Sequence, residues 1–314
     1  MLELPGETLG NVAIEWPFRS PIVNISRYRC LATDAGLGEE QTQPWHAICF
    51  PHERGYLYHE GKSAVVVDPT DVFFLNAGVR FRTSHPFGCG DCGSTLVLRP
   101  DVLLEAMAAH DPSVHERPGR PFRGQRAPSA PPVYLTQRLL ARELEDPAAL
   151  DASAVIETAL ALAACAVASA FPAASALRPS APTRAERRAR DRVEAVRSEI
   201  ARAYDRHQPL EELAEGAGCS VYHLCRTFRR HTGLPVHRYR NRLRLRAALE
   251  RLADPRIDLT TLALDVGFSS HSHFTAAFRA EFGVTPSQVR RSRFKAIRSR
   301  LFWPPPSKRN VSVM

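Results

Sequence analysis

The sequence lacks the features that would place it in a membrane or in a secreted disulfide scaffold. Its first residues, MLELPGETLGNVAIEWP, contain neither a basic start nor an apolar stretch, so no secretory signal is expected. The most apolar run, residues 158–171, is too short to span a bilayer and predicts a packed, alanine-rich helix. The seven cysteines form an odd and irregular set, which favours a reducing cytoplasm over a disulfide framework.

Motifs of the common catalytic classes are missing as well. The sequence contains no phosphate-binding glycine loop, no G-x-S-x-G, no H-E-x-x-H and no protein-kinase set. We therefore expect a protein that is not an enzyme and that uses no cofactor.

Acidic residues are outnumbered by basic residues in only one part of the chain. Residues 1–180 carry 15 Lys and Arg against 20 Asp and Glu, a net charge of −5. Residues 181–314 carry 27 against 13, a net charge of +14. A basic excess confined to one part of a chain favours a polyanionic partner for that part, most often nucleic acid.

The basic part contains an internal repeat. The stretch LEELAEGAGCSVYHLCRTFRRHTGLP is matched further on by LTTLALDVGFSSHSHFTAAFRAEFGVTP, with Gly218 paired to Gly267 and Ser220 paired to Ser270. In each copy Leu and Ala line one face of a short helix, the glycine permits a tight turn, and the serine caps a second helix. This is the pattern of a helix-turn-helix unit, whose second helix enters the DNA major groove.

The second copy carries the run GFSSHSHFTAAFRAEFGVTP, that is GF-S-S-x-x-HF-x-x-x-F-R-x-x-FG-x-x-P, which resembles the signature of the AraC/XylS family of transcription regulators. The resemblance covers about residues 191–292. It implies two helix-turn-helix units joined by one long helix at about residues 236–253. Their recognition helices would lie in successive turns of the major groove, separated by about 34 Å, so that one monomer reads two adjacent segments.

The resemblance also implies which residues contact DNA. Arg226 is the best candidate for a bidentate contact to guanine, because its planar fork matches the two acceptors on that base. Cys225 and Ala276 stand where a longer polar side chain is common in the family, so we expect fewer direct base contacts from the second recognition helix. His271 and His273 either contact bases or cover the core. The expected DNA-binding residues are Ser220, Val221, Tyr222, Cys225, Arg226, Arg229, Ser270, His271, Ser272 and Thr275.

The first hundred residues favour β structure. Short apolar runs are punctuated by Pro, Gly, Asn and Asp, namely SPIVNISRYRCLA, HAICFP, GYLYHEG, SAVVVD, DVFFLNAG and STLVL. This spacing predicts a sandwich or barrel, and the family resemblance implies a cupin-like sensing domain. Residues 111–132 predict a loop or partly disordered connector, and two helices are expected at residues 133–145 and 151–171.

The expected fold is therefore α+β with two domains. An N-terminal β-rich, cupin-like barrel with two helices would occupy residues 1–171, and an all-α DNA-binding domain would occupy residues 191–292. Residues 172–190 are expected to be a linker and residues 293–314 a basic, flexible tail. A capping box at Thr183 and Glu186 predicts a long helix to about Arg206. Because the basic repeat lies beyond a Pro- and Ala-rich stretch, few contacts between the parts are needed for either to fold.

A metal or thiol site in the N-terminal domain is the sharper alternative. Cys89 and Cys92 form a C-x-x-C pair, and His85 lies just before it. Neither a second C-x-x-C nor the H-x-H of metal-binding cupins is present, so we expect a glycine-rich turn that holds two thiols and no metal. A thiol- or metal-responsive switch at these residues stays open. The upstream histidines are His46, His52 and His59.

The sequence thus predicts a cytoplasmic, DNA-binding transcription regulator, more often an activator in this family, under the control of a small-molecule effector. Its expected partners are a double-stranded DNA operator, a second copy of the chain through residues 133–171, the effector and, for an activator, RNA polymerase. Two alternatives stay open. One is a cupin enzyme fused to a DNA-binding domain, and the other is a DNA-binding protein whose N-terminal domain only dimerises.

Overall fold

The computed structural model describes residues 8–9, 11–32, 35–52, 55–88, 90–146, 150–171 and 183–291. Its strands are β1 (Thr8–Leu9), β2 (Val12–Phe18), β3 (Val23–Cys30), β4 (Gln41–Thr42), β5 (Ala47–Pro51), β6 (Tyr56–Glu60), β7 (Ser63–Val67), β8 (Asp71–Leu75), β9 (Arg80–Ser84), β10 (Cys92–Leu98) and β11 (Arg126–Pro128). Its helices are α1 (Pro100–Ala108), α2 (Pro131–Glu143), α3 (Ala152–Ala170), α4 (Arg184–Arg202), α5 (Leu210–Gly216), α6 (Val221–Thr232), α7 (Val236–Arg251), α8 (Leu259–Asp265), α9 (His271–Phe282) and α10 (Pro286–Arg291).

The strands build two antiparallel sheets that pack against each other. The larger sheet has the order β1-β2-β3-β10-β5-β8-β11, and the smaller has the order β4-β9-β6-β7. Side chains of both sheets fill the space between them, among them Cys49 and Val97 of the larger and Tyr58 and Phe81 of the smaller. All six apolar runs form strands, which confirms the β-rich N-terminal unit and, with the helices that follow, the α+β fold.

The central strands of the larger sheet are buried on both faces. On β5, Cys49 faces the smaller sheet, whereas Ile48 and Phe50 join the core beneath the helices. On β8, Phe73 and Phe74 divide in the same way. Successive side chains of a strand point to opposite faces, so a strand covered on both sides needs apolar residues at every position. This explains why HAICFP and DVFFL are continuous apolar runs.

Helix α3 covers part of the outer face of the larger sheet. Asp151 caps it, its carboxylate accepting hydrogen bonds from the backbone N–H groups of Ser153 and Ala154. Among the described helices, α3 alone is long and apolar enough to cross a membrane by length and composition. One side of it, including Leu162 and Val167, belongs to the hydrophobic core of this unit.

The segment between α1 and α2 is more regular than its composition suggests. The prediction of a loop or partly disordered connector over residues 111–132 is confirmed only in part, because this segment is mainly loop but also contains a 3-10 helix (Pro112–Glu116) and strand β11. The side chain of Asn76 fastens it by donating to the Phe122 carbonyl at 2.9 Å and accepting the Phe122 N–H at 3.1 Å. These bonds come from a residue distant in sequence, so local composition gave no sign of them.

Helix α4 opens the C-terminal unit with the predicted capping box. The Thr183 hydroxyl accepts the Glu186 N–H at 3.1 Å, and the Glu186 carboxylate accepts the Thr183 N–H at 2.7 Å. The helix ends at Arg202, before the predicted end, and begins inside the segment expected to be a linker. Residues 172–182 and the expected tail at 293–314 lie outside the described residues.

The two units are in direct, buried contact. Arg197 of α4 donates to Asp68 at 2.7 Å and to Asp71 at 2.6 Å, at the turn between β7 and β8. On another part of the interface, Arg138 of α2 donates to Glu250 of α7 at 2.5 Å. The sequence indicates two parts that need few mutual contacts, whereas the structure joins them through buried ion pairs.

Candidate nucleic-acid interface

Helices α5 and α6 form the first helix-turn-helix unit. Leu213 of α5 and Phe228 of α6 belong to one buried core. Between the helices, Gly218 has a φ of +62°, a conformation that side-chain-bearing residues rarely adopt. The Ser220 hydroxyl then caps α6 by accepting the His223 N–H at 3.3 Å. Each feature matches the role that the repeat predicted for it.

Helices α8 and α9 repeat this geometry. Leu262 and Phe274 are buried together, and the Ser270 hydroxyl caps α9 by accepting the His273 N–H at 3.2 Å. Gly267 has a φ of +91°, and a Cβ atom there would lie 2.3 Å from the carbonyl oxygen of Asp205. The glycine is therefore required both by the turn and by the close approach of the segment between α4 and α5, which contains Asp205.

The two second helices, α6 and α9, expose the same positions. Counted from the first residue of each helix, the second, third, sixth, ninth and tenth side chains are exposed, and the fourth and eighth are buried. Over these ten positions the burial classes differ only at Thr227 and Ala277. Both helices therefore present a free face that the rest of the chain does not cover, as a helix must do to enter a DNA groove.

The exposed face of α6 carries the tyrosine and both arginines that the sequence assigned to DNA. Tyr222 is 76% exposed, and Arg226 and Arg229 are exposed beside it. Among the described residues, neither arginine side chain has a hydrogen-bond or ion-pair partner. Val221 and Cys225 are half-buried at the edge of this face. The face thus combines an aromatic ring with two guanidinium groups that are free to bind an acceptor.

The corresponding face of α9 is poorer in polar groups. Ser272 is exposed, but Ala276 takes the position of Arg226 in the repeat. His271 and Thr275 are half-buried, and the Thr275 hydroxyl lies 3.4 Å from the His271 Nε2. His273 lies edge-on to the Phe268 ring with centroids 5.3 Å apart, which supports a covering role for this residue.

Arg279 is a basic residue on this face that the sequence assignment left out. It stands fifty positions after Arg229, the offset that relates the two copies of the repeat, and it is exposed on α9. Applying the offset to every basic position of the first copy would have identified it.

The arginines of α7 mostly bind within the protein. Arg246 is fully buried and donates to the Ser129 carbonyl at 2.6 Å. Arg242 pairs with Glu281 at 2.6 Å, and Arg244 donates to backbone carbonyl oxygens at positions 204 and 206. Helix α7 therefore joins the two helix-turn-helix units through packing and ion pairs more than it offers charge to solvent.

A cavity of about 100 Å³ lies between the two sheets of the N-terminal unit. Aromatic side chains, including Trp45, Tyr56 and Phe81, form much of its wall, and Gln43 and Thr95 add polar groups. Apolar walls with a few polar groups are typical of small-molecule sites.

The histidines upstream of the C-x-x-C pair are not gathered at one site. His46 Nδ1 accepts the Ala77 N–H at 3.0 Å, and His59 Nε2 lies 2.9 Å from the Ser84 hydroxyl. His52 is buried, and burial together with the nearby guanidinium of Arg138 holds its pKa well below the ordinary value. These three histidines therefore lie in separate environments within the N-terminal unit.

His85 has different neighbours from those that the C-x-x-C pattern suggested. Its Nε2 lies 2.6 Å from Asp91 Oδ1, and hydrogen bonds to Asp91 and Cys30 raise the pKa of His85 to about 9. Cys92 is half-buried at the start of β10, and Cys89 lies outside the described residues. Among the described residues, the group of possible metal ligands whose donor atoms lie close together is Cys30, His85 and Asp91.

Comparison with known proteins finds similarity in the C-terminal unit. Residues 213–292 match the family model described as a helix-turn-helix domain. The HTH-type transcriptional activator RhaS of Escherichia fergusonii is 39% identical over 83 residues, which are 26% of this chain and 30% of that protein. RhaS of Pectobacterium carotovorum subsp. carotovorum is 33% identical over 105 residues, 33% of this chain and 38% of that protein. The chain thus spans about a third of the length of these relatives.

Solved structures with a similar unit include a transcriptional regulator with an AraC-type DNA-binding domain from Chromobacterium violaceum. It is 26% identical with a TM-score of 0.32, over 33% of this chain and 93% of that one. The DNA-binding domain of AdpA in complex with a target DNA is 24% identical with a TM-score of 0.30, over 34% and 94%. ToxT from Vibrio cholerae is 10% identical with a TM-score of 0.32, over 86% and 98%.

Proposed function

We propose that this chain is a DNA-binding transcription regulator of the AraC/XylS family, which reads a two-part operator under the control of a small-molecule effector. The observation that supports this most directly is the shared exposed face of α6 and α9, each with a serine-capped N-terminus. Two such faces joined by one helix suit two successive major-groove segments on one side of the duplex.

Specific readout is concentrated in α6. Arg226 binds a guanine through two parallel hydrogen bonds, and Tyr222 contacts a thymine methyl group or a phosphate. Arg229 and, by the repeat, Arg279 bind phosphates and fix the register of the protein on DNA. In α9, Ser272, His271 and Thr275 contribute fewer direct contacts, because Ala276 has no polar group and the latter two are half-buried.

The remaining proposed DNA residues act at the edges of these faces. The hydroxyls of Ser220 and Ser270 are engaged as helix caps, so these residues contribute through the positive N-terminal ends of α6 and α9 close to phosphate groups. Val221 and Cys225 supply apolar contact beside Tyr222.

The effector binds in the cavity between the two sheets. Its aromatic wall favours a small molecule with an apolar body, and Gln43 and Thr95 provide hydrogen-bonding groups that orient it. No residue of α5 to α10 lines this cavity. Control of DNA binding must therefore pass from the sheets to the helices through the interface between the units.

The turn between β7 and β8 is the proposed route of this control. Arg197 contacts Asp68 and Asp71 at this turn, and its Nε donates to the hydroxyl of Tyr239 at 3.0 Å. Arg197 lies on α4 and Tyr239 on α7, the helix that joins the two DNA-reading units. If the effector binds the cavity more tightly when this turn takes one of two positions, its binding favours that position. The angle between the recognition helices then shifts with the turn.

Dimerisation and activation complete the proposal. Helix α2 is mostly buried within the chain, so of the two helices expected at a dimer contact, α3 retains more exposed surface. The RhaS relatives are named transcriptional activators, which supports an activating role and a contact with RNA polymerase. The protein acts in the cytoplasm, where its operator DNA lies.

Genome-wide mapping of DNA bound by the full chain tests the proposed regulatory role. We expect a small number of discrete sites upstream of genes, each containing a shared two-part sequence. Occupancy spread evenly along the genome would instead support a DNA-binding protein without gene-specific regulation. The Arg226→Ala variant serves as the comparison: Arg226 is exposed on α6, and its loss should lower occupancy at the discrete sites and relax their shared sequence at one base pair.

A further inference from the structure

Three side chains of kinds that bind metal ions lie close together at one end of the cavity between the sheets. Cys30 is the last residue of β3, His85 follows β9, and Asp91 precedes β10. Their donor atoms all lie within 4.8 Å of one another. The side chains of Cys30, His85 and Asp91 are only 5%, 3% and 7% exposed.

Backbone contacts hold this cluster together independently of its side chains. The Cys30 N–H donates to the Asp91 carbonyl oxygen at 2.8 Å. Gly90 packs so closely on β3 that a Cβ atom there would lie 1.9 Å from the Cys30 carbonyl oxygen. The loop between β9 and β10 therefore approaches β3 only because residue 90 is glycine, and the three donors are brought together before any ligand binds.

We propose that Cys30, His85 and Asp91 bind a divalent transition-metal cation, for which zinc(II) is the best match. Thiolate, imidazole and carboxylate are all zinc ligands, whereas calcium and magnesium prefer sites made of oxygen atoms alone. One thiolate and one carboxylate also neutralise the two positive charges of the cation. A buried site accommodates a cation at least cost when its ligands neutralise the charge of the cation.

The observed distances are compatible with such a site after small rotations of the side chains. Zinc ligands bond at about 2.0 to 2.3 Å, which separates tetrahedral donor atoms by roughly 3.5 Å. Metal binding would replace the 2.6 Å hydrogen bond between His85 and Asp91 with two bonds to the cation. Cys30 and Asp91 also line the cavity, so the fourth ligand, a water molecule or a donor group of a bound molecule, enters from that side.

This site differs from the one that the C-x-x-C pattern suggested. Of the three residues suggested there only His85 takes part. Its partner Cys30 ends β3, and its partner Asp91 is one of the two residues between Cys89 and Cys92. Metal binding here does not depend on the proposed regulatory function. The chain can bind DNA and fail to bind zinc, or bind zinc and fail to bind DNA.

The test is metal titration of the purified, untagged full chain after treatment with a chelator and a reducing agent. Zinc affinity is measured by competition with a chromophoric chelator, and cobalt(II) is added separately to report on the ligands. We expect one zinc per chain and a thiolate-to-cobalt charge-transfer band with d–d absorption typical of tetrahedral coordination. Cys30→Ser and Asp91→Asn should each weaken zinc binding by more than about tenfold, a loss that even outer partners of metal ligands can cause.

Cys49→Ser is the matched control, because Cys49 is also a buried cysteine that lines the cavity but lies outside the cluster. It should keep the zinc affinity and the cobalt spectrum of the wild type, and so should Cys92→Ser. Thermal unfolding of each variant shows whether the fold is retained, and the spectrum of the unmodified chain gives a result that does not rely on any variant. Absence of stoichiometric zinc, equal affinity in Cys30→Ser, or loss in Cys92→Ser with retention in Cys30→Ser overturns the proposal.

Discussion

The guanidinium of Arg197 lies 2.7 Å from the carboxylate of Asp68, and only 3% and 0% of these side chains are exposed. Burial alone would raise the pKa of Asp68, but the charge of Arg197 and the hydroxyls of Thr70 and Tyr239 hold it below the ordinary value. This pair joins the N-terminal sheets to α4 and, through Tyr239, to α7. The contact between the N-terminal sheets and the C-terminal helices therefore has a buried ion pair at its centre.

Removing the charge of Arg197 should destabilise the whole chain. Arg197→Met leaves the buried Asp68 without its counter-ion and Asp71 with only Arg126 at 3.9 Å, and loss of one partner of a buried ion pair costs about 3–5 kcal/mol. Urea unfolding of the full chain measures the change in the free energy of unfolding. Arg202→Met is the control, because Arg202 lies on the same helix in an exposed pair with Glu199 and should change stability little. Equal effects of the two substitutions would contradict the importance of the buried pair.

Arg246 is a second buried arginine at the interface, and its replacement should behave differently. It lies 4.4 Å over the Tyr134 ring and donates to one carbonyl, but among the described residues its Nε and Nη1 have no hydrogen-bond partner. Burial lowers its pKa to about 10. Arg246→Met removes a poorly compensated charge, so we expect a cost of less than about 2 kcal/mol, most of it from the orphaned carbonyl.

The same urea experiment compares the two arginines directly. The Arg197 variant should unfold at a clearly lower urea concentration than the Arg246 variant, with similar slopes for both transitions. The opposite order would show that Tyr134 and Ser129 contribute more to the interface than the two aspartates do.

Substitutions in the recognition helices should separate base readout from phosphate binding. Arg226→Ala should weaken binding to an operator sequence that the full chain prefers by roughly 1–3 kcal/mol and relax the preference at one base pair. Arg229→Ala and Arg279→Ala should weaken binding to operator and random DNA alike. Fluorescence anisotropy titrations with both DNAs provide the measurement. A uniform loss in all three variants would remove the assignment of Arg226 to a base.

Salt should weaken DNA binding steeply. If the C-terminal unit neutralises several phosphates, the logarithm of the binding constant falls linearly with the logarithm of salt concentration, with a slope of about −0.9 for each contact. The Arg229→Ala and Arg279→Ala variants should each reduce the size of this slope by about one. A binding constant that does not change with salt would contradict a charge-driven DNA interface.

The repeat could be predicted in detail because each of its features is local. Glycine at a positive φ and serine at a helix N-terminus depend on neighbours within one or two turns, so Gly218 and Ser220 could be assigned from the sequence. The continuous apolar strands were identified for a similar reason, since burial on both faces shows in every residue.

The interface and the metal-ligand cluster could not be predicted, because both depend on residues far apart in the chain. Asp68 and Arg197 are separated by more than a hundred positions, and each resembles an ordinary surface charge in its own segment. Cys30 joins His85 only through the packing of Gly90 on β3, which no local pattern indicates. The C-x-x-C spacing drew attention to the right loop but to the wrong cysteines for this cluster.

The central claim is that α6 and α9 of one chain read two adjacent segments of DNA. Its most direct test is selection of binding sites by the purified full chain from a random DNA pool, followed by sequencing. The account predicts an enriched site with two conserved elements about one helical turn, or ~10 base pairs, apart, the element read by α6 being the more strongly conserved. Arg226→Ala should erase conservation at one position of that element alone. Failure to enrich any sequence, or enrichment of a single element with no second one a turn away, would contradict the account.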